Sequence, residues 1–185
     1  LGVLSSLLSR FKLFVVWAML FASPLSFAEG NGLSDYSIGS GDLLSIQVFG
    51  EEDLSLEVRL SDAGTVSYPF LGELKVRGMS TGKLSELIET KLADGYLINP
   101  SVNVTVLEYR QFFVNGEVEK PGGYPYQPGL TLQKAVALAG GFTERASKTK
   151  IFVVADGKEG EDPVRIRLNT MVRPGDIITV EESFF

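Results

Sequence analysis

Gly78-Met79-Ser80-Thr81-Gly82 has the G-x-S-x-G spacing of a nucleophile elbow, the sharp strand-to-helix turn that presents a catalytic serine. Such a serine attacks only when a neighbouring base takes its proton, and the chain contains no His to do so. Ser80 also stands ahead of a helix pattern, where a hydroxyl caps free backbone amides. A cap is therefore expected, and a hydrolase is not. Metal chemistry fares no better. With neither His nor Cys, only carboxylates remain as ligands. Glu51-Glu52-Asp53 and Glu159-Gly160-Glu161-Asp162 are acidic clusters, but neither has the alternating oxygen spacing of a calcium loop. They read as solvated loops, and no metal or cofactor is expected. Paired carboxylates could serve a glycosidase, yet nothing in the spacing separates an acid from a base. Tyr68, Tyr96, Tyr109, Tyr124 and Tyr126 could stack on sugar faces or simply pack in sheets. Tyr124 and Tyr126 alternate beside Pro121-Gly122-Gly123, so they are expected on one sheet face. They are the candidate pair for contact with a ligand or a neighbouring subunit.

Two distant segments spell nearly the same turn. Ile38-Gly39-Ser40-Gly41-Asp42-Leu43-Leu44-Ser45-Ile46 and Val172-Arg173-Pro174-Gly175-Asp176-Ile177-Ile178-Thr179-Val180 each lead into an apolar strand. Gly takes positive φ where the chain reverses, and Asp hydrogen-bonds its own backbone beside the turn.

These motifs need a framework, and the rest of the chain supplies one. Arg10 and Lys12, the apolar run Leu13 to Ala22, Pro24 and the small residues of Ser26-Phe27-Ala28 read as a cleavable secretory signal over residues 1–28. That ten-residue run is short of the roughly 20 residues of a spanning helix. Residues 29–35 read as a flexible leader. Cleavage would leave 157 residues, suited to one compact unit or to two small modules sharing a core. The formal charge of −6 would become −8, because the signal carries two basic residues and no acidic one. An acidic balance argues against nucleic acid and offers no polybasic patch to anionic lipid. Absence of Cys removes disulfides and the lipid attachment of a lipoprotein.

Leu44, Ile46 and Val48 alternate with Leu43, Ser45, Gln47 and Phe49, the pattern of a half-buried strand. Glu57 to Leu60 and Thr65 to Tyr68 read as a hairpin joined through Ser61-Asp62-Ala63-Gly64, with Pro69 ending its second arm. Leu84, Leu87, Ile88 and Leu92 predict a helix capped by Ser80 or Thr81 and closed by Gly95. Asn99-Pro100 predicts extended backbone ahead of a strand over Ser101 to Glu108. Further strands are expected over Phe112 to Val118, Lys150 to Ala155, Val164 to Leu168 and Ile177 to Glu181. Between them Leu132, Ala135, Val136 and Ala139 mark a short helix that Gly140-Gly141 stops. The fold class is α+β. A small mixed-sheet domain with one helix at 36–109 precedes a β-grasp-like domain at 110–185. The boundary near residue 110 has no linker composition, so the two are expected to pack together.

The first Gly-Asp turn continues into Gln47-Val48-Phe49-Gly50-Glu51-Glu52-Asp53-Leu54, Asp62-Ala63-Gly64-Thr65-Val66 and Tyr68-Pro69-Phe70-Leu71-Gly72, with Tyr36 ahead of it. This run resembles the outer-membrane polysaccharide export family, which carries capsular or exopolysaccharide across the Gram-negative envelope. Gly116-Glu117-Val118-Glu119-Lys120-Pro121-Gly122-Gly123-Tyr124 and Ala139-Gly140-Gly141 resemble the soluble-ligand-binding β-grasp (SLBB) domain that follows it. The resemblance implies a non-enzymatic, periplasmic and outer-membrane-associated subunit of a homo-oligomeric ring around a polysaccharide conduit. It implies an inner-membrane polysaccharide co-polymerase and a separate outer-membrane β-barrel as partners, as for short members that lack a C-terminal membrane helix. It also gives Gly39, Gly41, Asp42, Gly116, Pro121, Gly122, Gly140, Gly141, Gly175 and Asp176 as motif turns. A monomeric periplasmic module binding glycan or a small ligand is the alternative. A terminal Phe185 also marks outer-membrane β-barrels, but two helix patterns interrupt the strands.

Overall fold

The computed structural model describes residues 36–158 and 160–183. The expected signal at 1–28, the leader at 29–35, Glu159 and Phe184-Phe185 lie outside the described residues.

Alternation along β1 (Leu43–Val48) buries Leu44, Ile46 and Val48 while Gln47 faces out. β1 is the middle of an antiparallel sheet, flanked by β2 (Leu56–Arg59) and β5 (Val102–Glu108). The valines of β5 sit opposite it: Val104 pairs with Ile46 and Val102 with Val48. A separate hairpin joins β3 (Thr65–Tyr68) to β4 (Gly72–Lys75). Here the expected pairing of Glu57–Leu60 with Thr65–Tyr68 is wrong. The Ser61–Gly64 turn does reverse the chain, but β2 is taken by β1 and β3 by β4. Turn chemistry marks where a chain bends, whereas partner choice depends on which apolar faces meet. Pro69 follows the last residue of β3, as a residue without an N–H should.

Helix α1 (Thr81–Ala93) lays Leu84, Ile88 and Leu92 into this core. The Lys83 amide donates to Ser80 Oγ at 3.3 Å, so the serine of the G-x-S-x-G match is a helix cap. Ser80→Ala is expected to lower the unfolding free energy by about 1 kcal/mol, read by urea denaturation. At the other end, Gly95 (φ +92°) turns the chain, and the Tyr96 and Leu97 amides both bond the Leu92 carbonyl. Asn99 departs from the expectation. Its φ is +51°, left-handed rather than extended. Asn is one of the few residues with a Cβ that visits that region routinely, so the following proline does not impose extended backbone here.

In the second half, β6 (Phe112–Gly116), β7 (Gly122–Tyr124), β8 (Ala146–Val154), β9 (Val164–Arg165) and β10 (Ile177–Glu182) make a mixed sheet in the order β7-β6-β10-β8-β9. β10 runs parallel to β6 and antiparallel to β8. β6 stops at Gly116, two residues short of the expected end, and Val118 instead bridges Phe142. β8 starts four residues earlier than expected, and β9 keeps two of the five residues assigned to it. Helix α2 (Leu132–Leu138) packs Leu132, Ala135 and Val136 against Phe112, Val114, Ile151, Ile178 and Val180. Gly140 and Gly141 end it, with the Gly141 amide on the Val136 carbonyl. The class is α+β. The two halves do not share one core, however. One cluster of buried side chains runs from Ile38 to Val104 and a second from Phe112 to Val180. Each helix covers only its own sheet, so each sheet closes over its own apolar face.

Candidate functional site

The repeated Gly-Asp segments fold into the same turn. The Gly39 amide donates to Asp42 Oδ2 at 2.8 Å, and the Asp42 amide returns a bond to the Gly39 carbonyl at 3.2 Å. In the second copy, the Arg173 amide donates to Asp176 Oδ2 at 2.8 Å and the Asp176 amide to the Arg173 carbonyl at 3.2 Å. Gly41 (φ +92°) and Gly175 (φ +85°) take the left-handed position that lets each turn close. Both turns then clip onto a neighbouring segment in the same way. Gly41 and Asp42 exchange backbone bonds with Leu60 at 3.0 and 2.8 Å, whereas Gly175 donates to Gln111 at 3.0 Å and Asp176 accepts from Phe113 at 2.8 Å.

What differs is the use made of the aspartate. Asp42 is fully buried and gathers a further set of donors. Tyr36 Oη donates to its Oδ2 at 2.6 Å, the Arg110 amide to its Oδ1 at 2.8 Å, and Arg110 Nη1 to its Oδ2 at 3.1 Å. Arg110 Nη1 also reaches Tyr36 Oη at 2.7 Å, and Nη2 pairs with Asp156 Oδ2 at 3.0 Å. Arg110 begins the second half of the chain. Its guanidinium thus ties the first Gly-Asp turn to the loop after β8. Gly39 leaves room for that head group, since a Cβ there would lie 2.3 Å from Arg110 Nη1. Arg110 Nε is buried without a partner among the described residues.

Aromatic rings cross the same junction. Tyr36 meets Tyr109 edge-on at 4.9 Å, and Tyr109 meets Tyr126 at 5.3 Å. Edge-to-face contact of this kind suits the quadrupole of each ring. Burial, with the hydrogen bond and charge of Asp42, pushes the Tyr36 hydroxyl far above its usual value of 10, against the pull of Arg110. Burial also raises Tyr68, Tyr109 and Tyr126. Groups raised in the folded state contribute stability that is whole below pH 10 and is lost as pH rises through their folded values. At pH 11, native protein is therefore expected to show less tyrosinate absorbance at 295 nm than the same protein in guanidinium chloride. Burial likewise lifts Asp176 above 3.8, opposed by the amide and charge of Arg173.

The candidate pair separates. Tyr124 stacks at 5.9 Å on Phe112, and its hydroxyl donates to the Lys120 carbonyl, so it packs the sheet. Tyr126 lies beyond β7 and lines the cleft at the junction. Of the motif turns, Gly39, Gly41, Asp42, Gly175 and Asp176 converge there. Gly116 packs against Val180, Pro121 and Gly122 lead into β7, and Gly140 and Gly141 end α2. Arg110 and Asp156 were legible only as a boundary residue and a loop residue. A lone arginine at a module boundary, facing an aspartate turn that no composition rule pairs with it, is the signal that was present.

The cleft beside this junction is about 580 Å³ and carries Arg77, Arg173 and Asp156 along with Tyr36 and Tyr126. Among the described residues no group of three or more carboxylates stands close enough to hold a metal ion, and no helix is long and apolar enough to cross a membrane.

Comparison with known proteins follows the same division. Residues 31–107 match the family described as polysaccharide biosynthesis/export protein, and residues 111–167 match the SLBB domain. The chain is 34% identical over 149 residues to the exopolysaccharide production protein ExoF of Rhizobium meliloti (strain 1021), covering 74% of this chain and 35% of that protein. It is 28% identical over 185 residues to the EPS I polysaccharide export outer membrane protein EpsA of Ralstonia nicotianae, covering 80% of this chain and 47% of the relative. The capsule polysaccharide export outer membrane protein CtrA of Neisseria meningitidis serogroup A is 29% identical over 171 residues, 88% of this chain and 41% of the relative. The chain thus spans less than half the length of each of these curated relatives. It carries an export domain of the polysaccharide biosynthesis/export family followed by an SLBB domain.

Proposed function

We propose that this protein is a subunit of the envelope machinery that passes capsular or exopolysaccharide outward across the outer membrane, with residues 36–109 as its export domain and 110–185 as its SLBB domain. The observation that carries this reading is the joint between the domains. Two modules matched in the order export, then SLBB, are pinned by a buried aspartate and one arginine at distances of 2.8 to 3.1 Å. A wall block in a conduit needs such a joint, because a fixed angle between its parts lets identical subunits close into a ring. Relatives named as export outer membrane proteins support the same direction. The polymer passes without bond making or breaking, and the chain's lack of His agrees with a role in guidance. An inner-membrane co-polymerase below and a separate outer-membrane β-barrel above would complete the path. The protein would reach the periplasm through a cleaved signal and hold to the outer membrane without a lipid.

Deleting the protein while measuring polymer in the periplasm and outside the cell tests this. Accumulation inside with loss outside is the expected result, and unchanged secretion overturns the reading. Mass measurement of the purified protein separates a ring from the monomeric binding module. An acidic chain repeated around a ring would also repel an anionic polymer and keep it moving. Neutralising wall carboxylates should then slow export of an acidic polymer.

A further inference from the structure

We propose that the cleft between the two domains binds an acidic sugar unit through its carboxylate, with Arg77 and Arg173 as the cationic contacts. The proposal rests on the export reading only for the source of the sugar. Arg77 follows β4 and belongs to the first domain. Its stem lies across the Ser61–Thr65 turn, so closely that a Cβ on Gly64 would stand 2.5 Å from Arg77 Cβ. Packing of this kind points the side chain in one direction instead of leaving it to wander. Its head reaches the second domain, where Nη2 lies 3.7 Å from the place a Cβ on Gly157 would occupy. Arg173 comes from the second Gly-Asp turn, which holds its backbone through the Arg173 amide bond to Asp176. Two arginines, one from each domain and each anchored at its base, therefore line one cleft.

Their state differs from that of Arg110 between them. Arg110 is committed to Asp42 and Asp156 at 3.1 and 3.0 Å. Among the described residues, neither Arg77 nor Arg173 has a hydrogen-bonded or ion-paired partner for its guanidinium, although the charge of Arg173 acts on Asp176. Both are exposed. A guanidinium is a rigid fork of donors matched to a carboxylate or a phosphate. In a chain with an excess of acidic residues, two such forks left open in one concavity mark a local reversal of sign.

The other lining groups decide which anion fits. Asp156 places a carboxylate in the same cleft and Ser37 a hydroxyl. A carboxylate accepts sugar hydroxyls but repels a compact dianion. One negative charge surrounded by hydroxyls suits this lining better than inorganic phosphate does. Tyr126 adds an aromatic body at the wall. Exposed ion pairs contribute little each, so the contact is weak and quickly reversed. Weak contact is what a moving polymer tolerates.

Saturation-transfer NMR on the sugar, with the full chain and tetragalacturonate as probe, reads this directly. Saturable transfer is expected for tetragalacturonate and none for neutral maltotetraose. Arg77→Gln and Arg173→Gln should each weaken binding about fivefold. Both side chains are exposed, so the thermal midpoint should not move, which separates lost contact from lost fold. Equal transfer to maltotetraose, or unchanged affinity in both variants, overturns the proposal. Displacement by inorganic phosphate at lower concentration than tetragalacturonate also overturns it and assigns a phosphate site instead. Secretion unaffected by deletion would sink the export reading while leaving the binding result in place.

Discussion

Asp42→Ala is expected to destabilise the protein by about 3–5 kcal/mol in urea unfolding, the cost of breaking a buried charge pair from one side. The carboxylate is wholly buried and accepts from Tyr36, the Gly39 amide, the Arg110 amide and the Arg110 guanidinium. Truncation removes the shared acceptor of all four donors at once. Arg110 would retain Asp156, an outer partner at 3.0 Å, which is less buried than Asp42. The second Gly-Asp turn supplies an internal control. Asp176 closes the same turn at the same 2.8 Å, but no guanidinium pairs with it among the described residues. Asp176→Ala should therefore cost about 2 kcal/mol, the penalty of leaving buried amides unpaired. Equal costs at the two positions would mean that the bond to Arg110 contributes nothing to holding the domains.

Gly116→Ala should cost about 3 kcal/mol or more, and its mechanism can be isolated. Gly116 ends β6 at φ +83° and sits opposite Val180 in the parallel pairing with β10. A Cβ there would stand 2.1 Å from the Val180 carbonyl oxygen. That obstacle is backbone in the middle strand of the sheet, so nothing can swing aside, and β6 and β10 must part. Two terms combine: left-handed backbone, about 1–2 kcal/mol for a residue with a Cβ, and overpacking, about 1–3 kcal/mol. Gly95→Ala isolates the first. Its φ is +92°, but a Cβ would meet nothing within 4 Å. Thermal or urea unfolding of the two variants should differ by the overpacking term. Parity between them would show that β10 yields without cost.

Both predictions fall on residues the sequence had marked, but the reasons came from elsewhere. Period-2 burial along β1 and the i, i+3, i+4 stripe of α1 depend on neighbours within one element, so they were readable from order alone. So were the Ser80 cap and the twin turns, which a few adjacent backbone groups define. The β2–β3 hairpin failed because strand pairing is a choice between distant partners, and β1 outcompeted the local one. Asn99 departed from expectation because asparagine tolerates left-handed backbone, against the usual push of a following proline. Tyr124 and Tyr126 looked equivalent by alternation, yet β7 ends between them, and only Tyr126 reaches the cleft.

Linear order, then, was enough for α+β architecture and the pair of Gly-Asp turns. These are consequences of contacts a few residues long. Which turn would hold an arginine was settled in three dimensions. Arg110 is 68 residues from Asp42, and Asp156 is 46 from Arg110. Arg77 and Arg173 come from different domains. Folding alone brings such groups together, because the burial of two separate cores, and no local preference, sets where those five side chains end up.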